Sequence, residues 1–379
     1  MKKVLILGAS GSIGKQTIDV INNNLDRFDL VAFSVGHNDS AIDDIIISHP
    51  NVNDVYLISD IKRKHYEQKY PGINFYSGKN GLKKLVKKVD YDICVDALVG
   101  FVGFEPAYIS LKRNKILCLA NKEALVSGGD LIKKALKNGS GKLYPIDSEH
   151  VAIAKCLSKV NDRNVEKLII TASGGALRNV PLDKLNNATP EDALKHPNWK
   201  MGDKITIDCA TMMNKGFEII EAYYLFDYPL SKIDVIMHDE SLVHSMVKLE
   251  NGKFIVDFGK PDMHGPIEYA LFEGKNKFEV LEIGNLDELS NCHFHEYNKK
   301  RYPLTELAKQ CLKNGASKMI ALNAVNEVAV NKFLRHEIHY NEIYDVVKKV
   351  VDKTPTIKHP SLFLTKLIDK KARKEAKKC

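Results

Sequence analysis

Two carboxylates stand one residue apart in the segment Ile146–His150, directly after an apolar run. Residues i and i+2 of an extended chain share a face, so a strand ending here would present Asp147 and Glu149 together. Carboxylate oxygens are the ligands that Mg²⁺ and Mn²⁺ prefer. The candidate for a third carboxylate is Glu218, whereas His150 has no assigned role. Taken alone, such a pair is more often a set of solvated loop charges.

A glycine-rich loop near the start of the chain is a second place where the residue types suggest chemistry. It follows the apolar run Val4–Leu7 and opens a helical pattern. Glycines let the backbone approach a pyrophosphate, and a helix N-terminus offers N–H groups and a positive dipole end. The spacing is GxxGxxG rather than the commoner GxGxxG, and a tight turn without a ligand is the alternative. The predicted cofactor-binding residues of the loop are Gly8, Ser10, Gly11, Ser12, Ile13 and Gly14.

The residues after the second apolar strand pattern indicate which dinucleotide is bound. An NAD site usually has an acidic residue there to hold the ribose hydroxyls. This chain has Gly36, His37 and Asn38, and Asp39 comes slightly late for that role. The three residues leave room for a 2′-phosphate and can donate hydrogen bonds to it, which favours NADPH over NADH.

Polar residues further along the chain are of the types that bind an anion. Ser173 follows a strand pattern and lies among small residues, where its hydroxyl and neighbouring N–H groups are exposed. Asn214 and Lys215 precede Glu218, and a lysine is a suitable point charge for a phosphate. The only tryptophan, Trp199, occurs in the polar loop 195–203. The pattern is equally compatible with a core position and with a mobile lid over a ligand.

The elements that must position these residues follow from the hydrophobic pattern. Near-continuous apolar strands alternate with helices in the first 147 residues, which indicates a parallel sheet covered on both faces. Residues 148–275 mix strand and helix patterns in a second domain, and 276–299 have the polar, irregular composition of a linker. Helical patterns with short connections follow in 300–379 and predict a small bundle.

Composition excludes several classes of protein. The chain has 379 residues, of which 44% are hydrophobic and 27% charged, as in an ordinary globular protein of two or three domains. Its apolar runs are all far shorter than the roughly 18 residues of a membrane span. Seven scattered cysteines without a CxxC pair favour reduced thiols in the cytoplasm over a disulfide framework.

Most of the net charge of +8 comes from the last ten residues of the chain. Residues 370–379 hold six basic residues and one Glu and supply +5 of it. A nucleic-acid surface requires a basic stripe with stacking aromatics on the folded body, and the sequence has no such pattern. We therefore expect neither a nucleic-acid nor a membrane partner, and the tail is predicted to be a solvated, frayed helix end.

The motifs together resemble one family, 1-deoxy-D-xylulose 5-phosphate reductoisomerase, in order and across nearly the whole chain. The segments that carry the resemblance are GASGSIG at 8–14, ANKEALV at 120–126, IDSEH at 146–150, TASGG at 171–175, HPNWKMG at 196–202, MMNKG at 212–216, HSMV at 244–247, PDM at 261–263 and AVNE at 324–327. The resemblance implies an NADPH-dependent and metal-dependent rearrangement and reduction of 1-deoxy-D-xylulose 5-phosphate to 2-C-methyl-D-erythritol 4-phosphate, in non-mevalonate isoprenoid biosynthesis. It also implies a homodimer whose subunit has a Rossmann-like domain, an α+β catalytic domain and a C-terminal α-helical bundle.

The resemblance further implies a role for individual residues. The metal ligands would be Asp147, Glu149 and Glu218, and the catalytic residues Lys122, Glu149 and Lys215. The substrate-binding residues would be Lys122, Ser148, Glu149, Ser173, His196, Trp199, Cys209, Asn214, Lys215 and Glu218. Asn121, Glu123 and Gly202 would join the cofactor-binding residues. A metal-polarised carbonyl next to a hydroxyl would favour the carbon–carbon rearrangement, and a nicotinamide hydride would reduce the resulting aldehyde.

Two positions depart from the family pattern. Cys209 stands where the family usually has a Ser that contacts the phosphate, and a thiol is a poorer donor. His37 stands where a Lys or Arg often meets the 2′-phosphate, so the preference for NADPH over NADH would be weaker and more dependent on pH.

Two alternatives compete with this assignment. One is a metal-independent NAD(P) oxidoreductase acting on another sugar phosphate, which would keep its activity under chelation. The other is an inactive dinucleotide-binding protein, which would bind cofactor without turnover. The complete set of three carboxylates and the intact Trp199 loop argue against the second.

Overall fold

The computed structural model describes residues 1–160, 164–199 and 201–379. Lys200, within the loop predicted to be mobile, lies outside the described residues. The chain divides into two compact units. The first comprises 1–124, 131–147 and 262–276, and the second comprises 125–130, 148–261 and 277–379. The division into three domains and a linker stays a prediction.

The strands and helices follow the apolar patterns of the sequence. The strands are β1 (Lys2–Leu7), β2 (Phe28–Ser34), β3 (Asp54–Tyr56), β4 (Asn74–Tyr76), β5 (Ile93–Asp96), β6 (Ile116–Leu119), β7 (Lys142–Pro145), β8 (Val165–Ala172), β9 (Ile233–His238), β10 (Val243–Leu249), β11 (Phe254–Phe258), β12 (Leu281–Ile283) and β13 (Phe294–His295). The helices are α1 (Ser12–Asn22), α2 (Ile42–Ser48), α3 (Asp60–Lys69), α4 (Gly81–Lys88), α5 (Phe104–Lys112), α6 (Lys122–Lys137), α7 (Ser148–Leu157), α8 (Pro190–Ala193), α9 (Asp203–Ala210), α10 (Met213–Phe226), α11 (His264–Leu271), α12 (Pro303–Asn314), α13 (Ala316–Leu334), α14 (Glu342–Lys353) and α15 (Leu362–Ala376).

The first unit is built on a seven-stranded sheet in the order β4-β3-β2-β1-β5-β6-β7. Every neighbouring pair in it is parallel. The strand order reverses direction at β1, the first strand, and such a switch point is where dinucleotides bind at the carboxyl edge of the sheet. The parallel α/β sheet predicted for the N-terminal part is confirmed.

Helix α11 packs on the core of the first unit, although its residues were assigned to the end of the second domain. Ile267, Ala270 and Leu271 belong to the same buried cluster as the central strands. Glu273 forms ion pairs with Lys2 and with Lys142, at 2.8 Å in the latter case. Burial of the apolar face of α11 therefore places 262–276 with the first unit.

The second unit contains a six-stranded sheet in the order β12-β11-β10-β8-β9-β13. Only the β8–β9 pair is parallel, so this unit is α+β, as predicted. The segment 276–299 is not irregular throughout, because it contributes the two edge strands β12 and β13. These strands have three and two residues, too short for a periodic signal in a polar stretch.

The four C-terminal helices α12–α15 pack with α9 and α10 around a shared apolar core, which confirms the predicted helical bundle. The basic tail is less frayed than predicted. Helix α15 buries Ala372 and Ala376, and Arg373 pairs with Asp369 at 3.0 Å and with Glu327 at 2.9 Å. Within the described residues, none of the helices has the length and apolar composition that a membrane span requires.

Candidate active site

The glycine-rich loop connects β1 to α1 in the first unit. Gly8 has φ +90°, and a Cβ there would lie 2.7 Å from the carbonyl oxygen of Ala97. A Cβ on Gly14 would lie 2.2 Å from the carbonyl oxygen of Gly8. Both positions require glycine for close packing of strand, loop and helix. Gly11 is the N-cap of α1 and provides no side-chain cap, so the first helical turn offers its N–H groups to an anion.

The other residues of the loop surround this helix N-terminus. Ser12 is exposed, whereas Ser10 and Ile13 are half-buried. At the neighbouring strand end, Gly36, His37 and Asn38 are all exposed and follow β2 after one buried residue, Val35. The Asp39 carboxylate is engaged by Lys62 at 2.7 Å. The exposed groups at this edge are therefore those that the sequence analysis selected for a 2′-phosphate.

Asn121 holds the loop that follows β5 at the same carboxyl edge. Its side-chain nitrogen donates to the carbonyl oxygens of Leu98 (2.8 Å) and Gly100 (2.9 Å). Its side-chain oxygen accepts from the N–H of Ala124 at 2.7 Å and caps α6. The amide is thus committed to loop structure, so its contribution to a cofactor site is to shape the loop.

Lys122 and Glu123 begin helix α6 and are both buried. The ammonium group of Lys122 donates to the carboxylate of Asp147, the last residue of the first unit. An ion pair with little exposure on either side fixes both side chains at the start of α6 and just after β7.

Asp96, which ends β5 and is fully buried, was not among the predicted site residues. Burial, and then the charge of Glu123, raise the pKa of its carboxyl well above the usual range. The carboxylate accepts from the N–H of Leu98 at 3.2 Å. An acid inside an otherwise apolar strand was the signal that could have identified it.

The premise that Asp147 and Glu149 lie on one extended strand is wrong. Strand β7 ends at Pro145, and Ser148 already begins helix α7. Asp147 therefore lies in the bend between them, and Glu149 lies in the first turn of the helix. Acidic residues favour the positive end of a helix, which explains the early start. Asp147 is the last residue of the first unit, Glu149 belongs to the second, and in sequence only Ser148 separates them.

The second unit brings Glu149, Lys215 and Glu218 together. The Lys215 ammonium donates to Glu149 and, at 2.6 Å, to Glu218. Carboxylate oxygens of Glu149 and Glu218 lie within 4.8 Å of each other. Asn214 donates to the other oxygen of Glu218, and Ser148 donates to Glu149 at 2.8 Å. These five side chains, all predicted from the sequence, form one hydrogen-bonded cluster.

Helix α10 places three of them by helical spacing alone. Asn214 and Glu218 are one i,i+4 pair, and Lys215 and Glu218 are an i,i+3 pair. Glu218 is fully buried, so its charge depends on these donors. His150 lies behind it, with Nε2 3.0 Å from the carbonyl oxygen of Glu218 and Nδ1 3.8 Å from a carboxylate oxygen of Glu221.

A second polar group in this unit joins Ser173 to His196. The Ser173 Oγ atom lies 3.1 Å from His196 Nε2. His196 Nδ1 accepts from the backbone N–H groups of Asn198 (3.2 Å) and Trp199 (3.0 Å), so this nitrogen carries no hydrogen. Burial, followed by the charges of Lys215 and Arg178, lowers the pKa of His196 to about 4. The neutral ring therefore carries its hydrogen on Nε2 and donates it to Ser173.

Cys209 and Gly202 lie at opposite ends of α9. Cys209 is half-buried, and a Cβ on Gly175 would lie 2.8 Å from its carbonyl carbon, so the Ser173 loop packs against this end of the helix. Gly202 is the exposed N-cap of α9 and belongs to the second unit. Trp199 is half-buried, with its ring 6.5 Å from that of His244.

The fold and these side chains together are typical of one functional class of protein. A seven-stranded parallel sheet with a glycine-lined, uncapped helix N-terminus is typical of dinucleotide-dependent oxidoreductases. A separate α+β unit carries a carboxylate–lysine cluster and a neutral histidine beside a serine. The protein is therefore of the two-unit oxidoreductase class, with a carboxylate site suited to a hard cation.

Comparison with known proteins identifies the family within this class. Residues 4–129 match the family model "1-deoxy-D-xylulose 5-phosphate reductoisomerase", and 143–226 and 258–375 match two models of its C-terminal domains. A relative of that name from Bacillus cereus (strain AH187) is 42% identical over 96% of this chain and 95% of its own. One from Listeria innocua is 39% identical over 98% of both. The chain belongs to the 1-deoxy-D-xylulose 5-phosphate reductoisomerase family.

Solved structures agree with this result. A structure of DOX-P reductoisomerase in complex with NADPH, fosmidomycin and magnesium has a TM-score of 0.89 at 32% identity, over 100% of this chain and 98% of that one. The Zymomonas mobilis enzyme in complex with NADPH has a TM-score of 0.87 at 33% identity, over 99% and 98% of the two chains. The predicted family and fold class are confirmed.

Proposed function

We infer that this chain catalyses the rearrangement and NADPH-dependent reduction of 1-deoxy-D-xylulose 5-phosphate to 2-C-methyl-D-erythritol 4-phosphate, with a divalent cation, in isoprenoid biosynthesis. The observation that carries this conclusion is the cluster of Glu149, Lys215 and Glu218, whose charges are buried or half-buried and compensate one another. Family membership over nearly the whole chain supports the same reaction.

The donor set fits a hard cation. Glu149 and Glu218 supply carboxylate oxygens within 4.8 Å of each other, and Asp147, two residues before Glu149, is proposed as the third ligand. An oxygen-only set selects Mg²⁺ or Mn²⁺ over softer metals. When bound, the ion would polarise the substrate carbonyl, and NADPH would supply the hydride for reduction.

The glycine-rich loop and the end of β2 are proposed to bind NADPH. The positive end of α1 suits the pyrophosphate, because Gly8 and Gly14 admit no Cβ and Gly11 leaves the first helical turn uncapped. Exposed His37 and Asn38 are proposed to meet the 2′-phosphate. Asn121 fixes the loop at this edge of the sheet through its three side-chain hydrogen bonds.

The Ser173 group is proposed to bind the substrate phosphate. Ser173 Oγ already accepts from His196 and, at 3.4 Å, from the N–H of Gly175, so its own hydrogen is available for an anion. Asn214, Lys215 and Cys209 are proposed to complete the phosphate and backbone contacts. Anchoring this remote group positions the reacting end of the substrate.

Proton transfers at the reacting end are assigned to Lys122, Glu149 and Lys215. Lys122 is held by Asp147, and Glu149 is held by both Ser148 and Lys215. Side chains fixed in this way can take or return a hydroxyl proton without reorganisation. Trp199, on the loop that His196 holds, is proposed to exclude water from the intermediate.

The location and assembly of the protein are also proposals. We propose a cytoplasmic homodimer without a nucleic-acid or membrane partner. The seven cysteines support a reducing compartment, because the structure records all seven as free thiols. The mobile loop 195–203 likewise stays a prediction.

The test is an assay with 1-deoxy-D-xylulose 5-phosphate as substrate, in which the fall in NADPH absorbance measures turnover. We expect turnover only with Mn²⁺ or Mg²⁺ present, and loss of activity on chelation. Glu218→Gln should lower kcat/KM by about a hundredfold or more, because it removes a charged oxygen ligand. Glu250→Gln, an exposed residue after β10, is the matched control. Metal-independent turnover, or a fully active Glu218→Gln enzyme, would contradict the assignment.

A further inference from the structure

The turn between β9 and β10, residues 239–242, contacts the segment that carries His196 and Trp199. A single side-chain nitrogen makes the link. Asn198 Nδ2 donates to the carbonyl oxygen of Asp239 at 2.9 Å and to Ser241 Oγ at 2.8 Å. The two residues flank Glu240, the half-buried centre of the turn, and neither belongs to the predicted set of site residues.

The turn is fixed independently of Asn198. His238, fully buried, accepts at Nε2 from the N–H groups of Leu242 (3.0 Å) and Val243 (3.1 Å). Glu240 accepts from the backbone N–H of His293 at 3.0 Å. Ser241 has φ +56°, a conformation that a non-glycine residue keeps only when its surroundings hold it. The turn is therefore a rigid point of attachment.

The other end of the link is the backbone of the Trp199 segment. His196 Nδ1 accepts from the N–H groups of Asn198 and Trp199, so residues 196–199 form a closed local unit. Fixing the Asn198 side chain on the turn thus also fixes the direction of His196 Nε2 towards Ser173. Arg178 reinforces this arrangement, because it donates to the carbonyl oxygens of both Ser173 (3.0 Å) and Asp239 (3.2 Å).

We propose that Asn198 is a positioning residue: through the 239–242 turn it sets the His196–Trp199 segment over Ser173. The role requires a side chain with two N–H donors, because both partners on the turn present oxygen atoms. Aspartate at this position would direct a carboxylate at the carbonyl oxygen of Asp239. The effect on turnover rests on the proposed function, whereas the effect on the segment itself does not.

Trp199 is the only tryptophan in the chain, so its fluorescence reports on this segment alone. Without substrate, acrylamide should quench Trp199 more strongly in Asn198→Ala and in Ser241→Ala than in the wild type. With substrate, Asn198→Ala should raise KM about tenfold, because it removes two hydrogen bonds, and Ser241→Ala should raise it a few-fold, because it removes one. Asn251→Ala, an exposed amide in the β10–β11 turn, should change neither quantity.

A double-mutant cycle decides whether the two residues act as one contact. In Asn198→Ala/Ser241→Ala, KM should equal that of Asn198→Ala alone, because the Ser241 partner is already gone. Multiplicative effects, or quenching unchanged from the wild type, would overturn the proposal. If Asn198→Ala fails to fold, quenching of Ser241→Ala decides the matter. Absence of wild-type turnover would refute the proposed function and leave the quenching result to judge Asn198.

Discussion

Replacement of Lys215 by methionine tests whether its ammonium group compensates two carboxylates in the absence of metal. Lys215 and Glu218 are almost fully buried, and Glu149 is 19% exposed. Methionine keeps the length of the side chain and removes the charge together with the N–H donors. Breaking a buried ion pair by removing one partner costs about 3–5 kcal/mol, because the remaining charge stays buried.

This free-energy cost corresponds to a shift in the melting temperature. For a unit of this size each kcal/mol shifts Tm by roughly 2–4 °C, so we expect the metal-free variant to melt roughly 6–20 °C below the wild type. The Glu149 side of the pair is partly solvated, which favours the lower half of that range. Differential scanning fluorimetry in a chelator measures the shift.

Mn²⁺ should then restore part of the lost stability. The ion would take the place of the ammonium group as the counter-charge of Glu149 and Glu218. Binding at a concentration of 100 Kd contributes about 2.7 kcal/mol to stability, and more to a variant in which no lysine competes for the oxygens. We therefore expect Mn²⁺ to raise Tm by more in Lys215→Met than in the wild type.

Lys348→Met is the matched control, since Lys348 pairs with Asp352 at 2.6 Å on the exposed face of α14. An exposed pair of this kind contributes about 1 kcal/mol or less. A Lys215→Met shift no larger than that of Lys348→Met would refute the reasoning. Equal stabilisation of wild type and Lys215→Met by Mn²⁺ would refute the counter-charge argument specifically.

Three further predictions concern the cofactor, the substrate phosphate and pH. Gly14→Ala should weaken NADPH binding, measured by titration of the cofactor, because its Cβ would lie 2.2 Å from the carbonyl oxygen of Gly8; unaltered affinity would exclude this close packing from the cofactor site. Cys209→Ser should lower KM for the substrate without loss of kcat, because a hydroxyl is a better donor to phosphate than a thiol, and an unchanged or raised KM would count against a phosphate contact. Folding lowers the pKa of His196 from 6.5 to about 4. Between these two pH values the unfolded chain therefore binds more protons than the folded chain. The contribution of the neutral histidine to stability is lost as the pH falls through that window. The decline in Tm between pH 7 and 4 should accordingly be shallower in His196→Gln, and parallel Tm–pH curves would contradict that assignment.

Local pattern was sufficient for most elements of the fold. Buried parallel strands such as β1 and β5 each contain a continuous apolar run, Val4–Leu7 and Ile93–Val95, and long amphipathic helices such as α14 repeat their apolar residues with helical spacing. The strands β4, β12 and β13 have three residues or fewer, which is less than one clear period. Helix α11 was assigned to the wrong neighbour because an amphipathic pattern predicts that a face is buried but does not identify its partner.

The candidate site was predictable to the extent that its residue types carry its chemistry. The three carboxylates, Lys215 and Ser173 are of types that bind a cation or an anion wherever they meet. Asn198 and Asp239, in contrast, act through contacts 41 residues apart in sequence, and a lone amide in a loop has no sequence signal for such a contact. The bend at Asp147 was missed because an apolar run predicts the strand but not the residue at which a helix begins.

Helix α10 shows why a functional helix is difficult to interpret from its pattern alone. All residues from Met213 to Ala222 are buried, so the helix has no solvated face, yet it carries Asn214, Lys215, Glu218 and Glu221 in that stretch. An apolar helix of the same shape would be at least as stable, because buried ion pairs seldom exceed their desolvation cost. Local bonds between these side chains keep the fold intact but do not explain why the charges are there. A ligand that uses Glu218 and Lys215 does explain it, and the Lys215→Met experiment separates the two contributions, since the cost to stability appears without metal and the compensation appears with it.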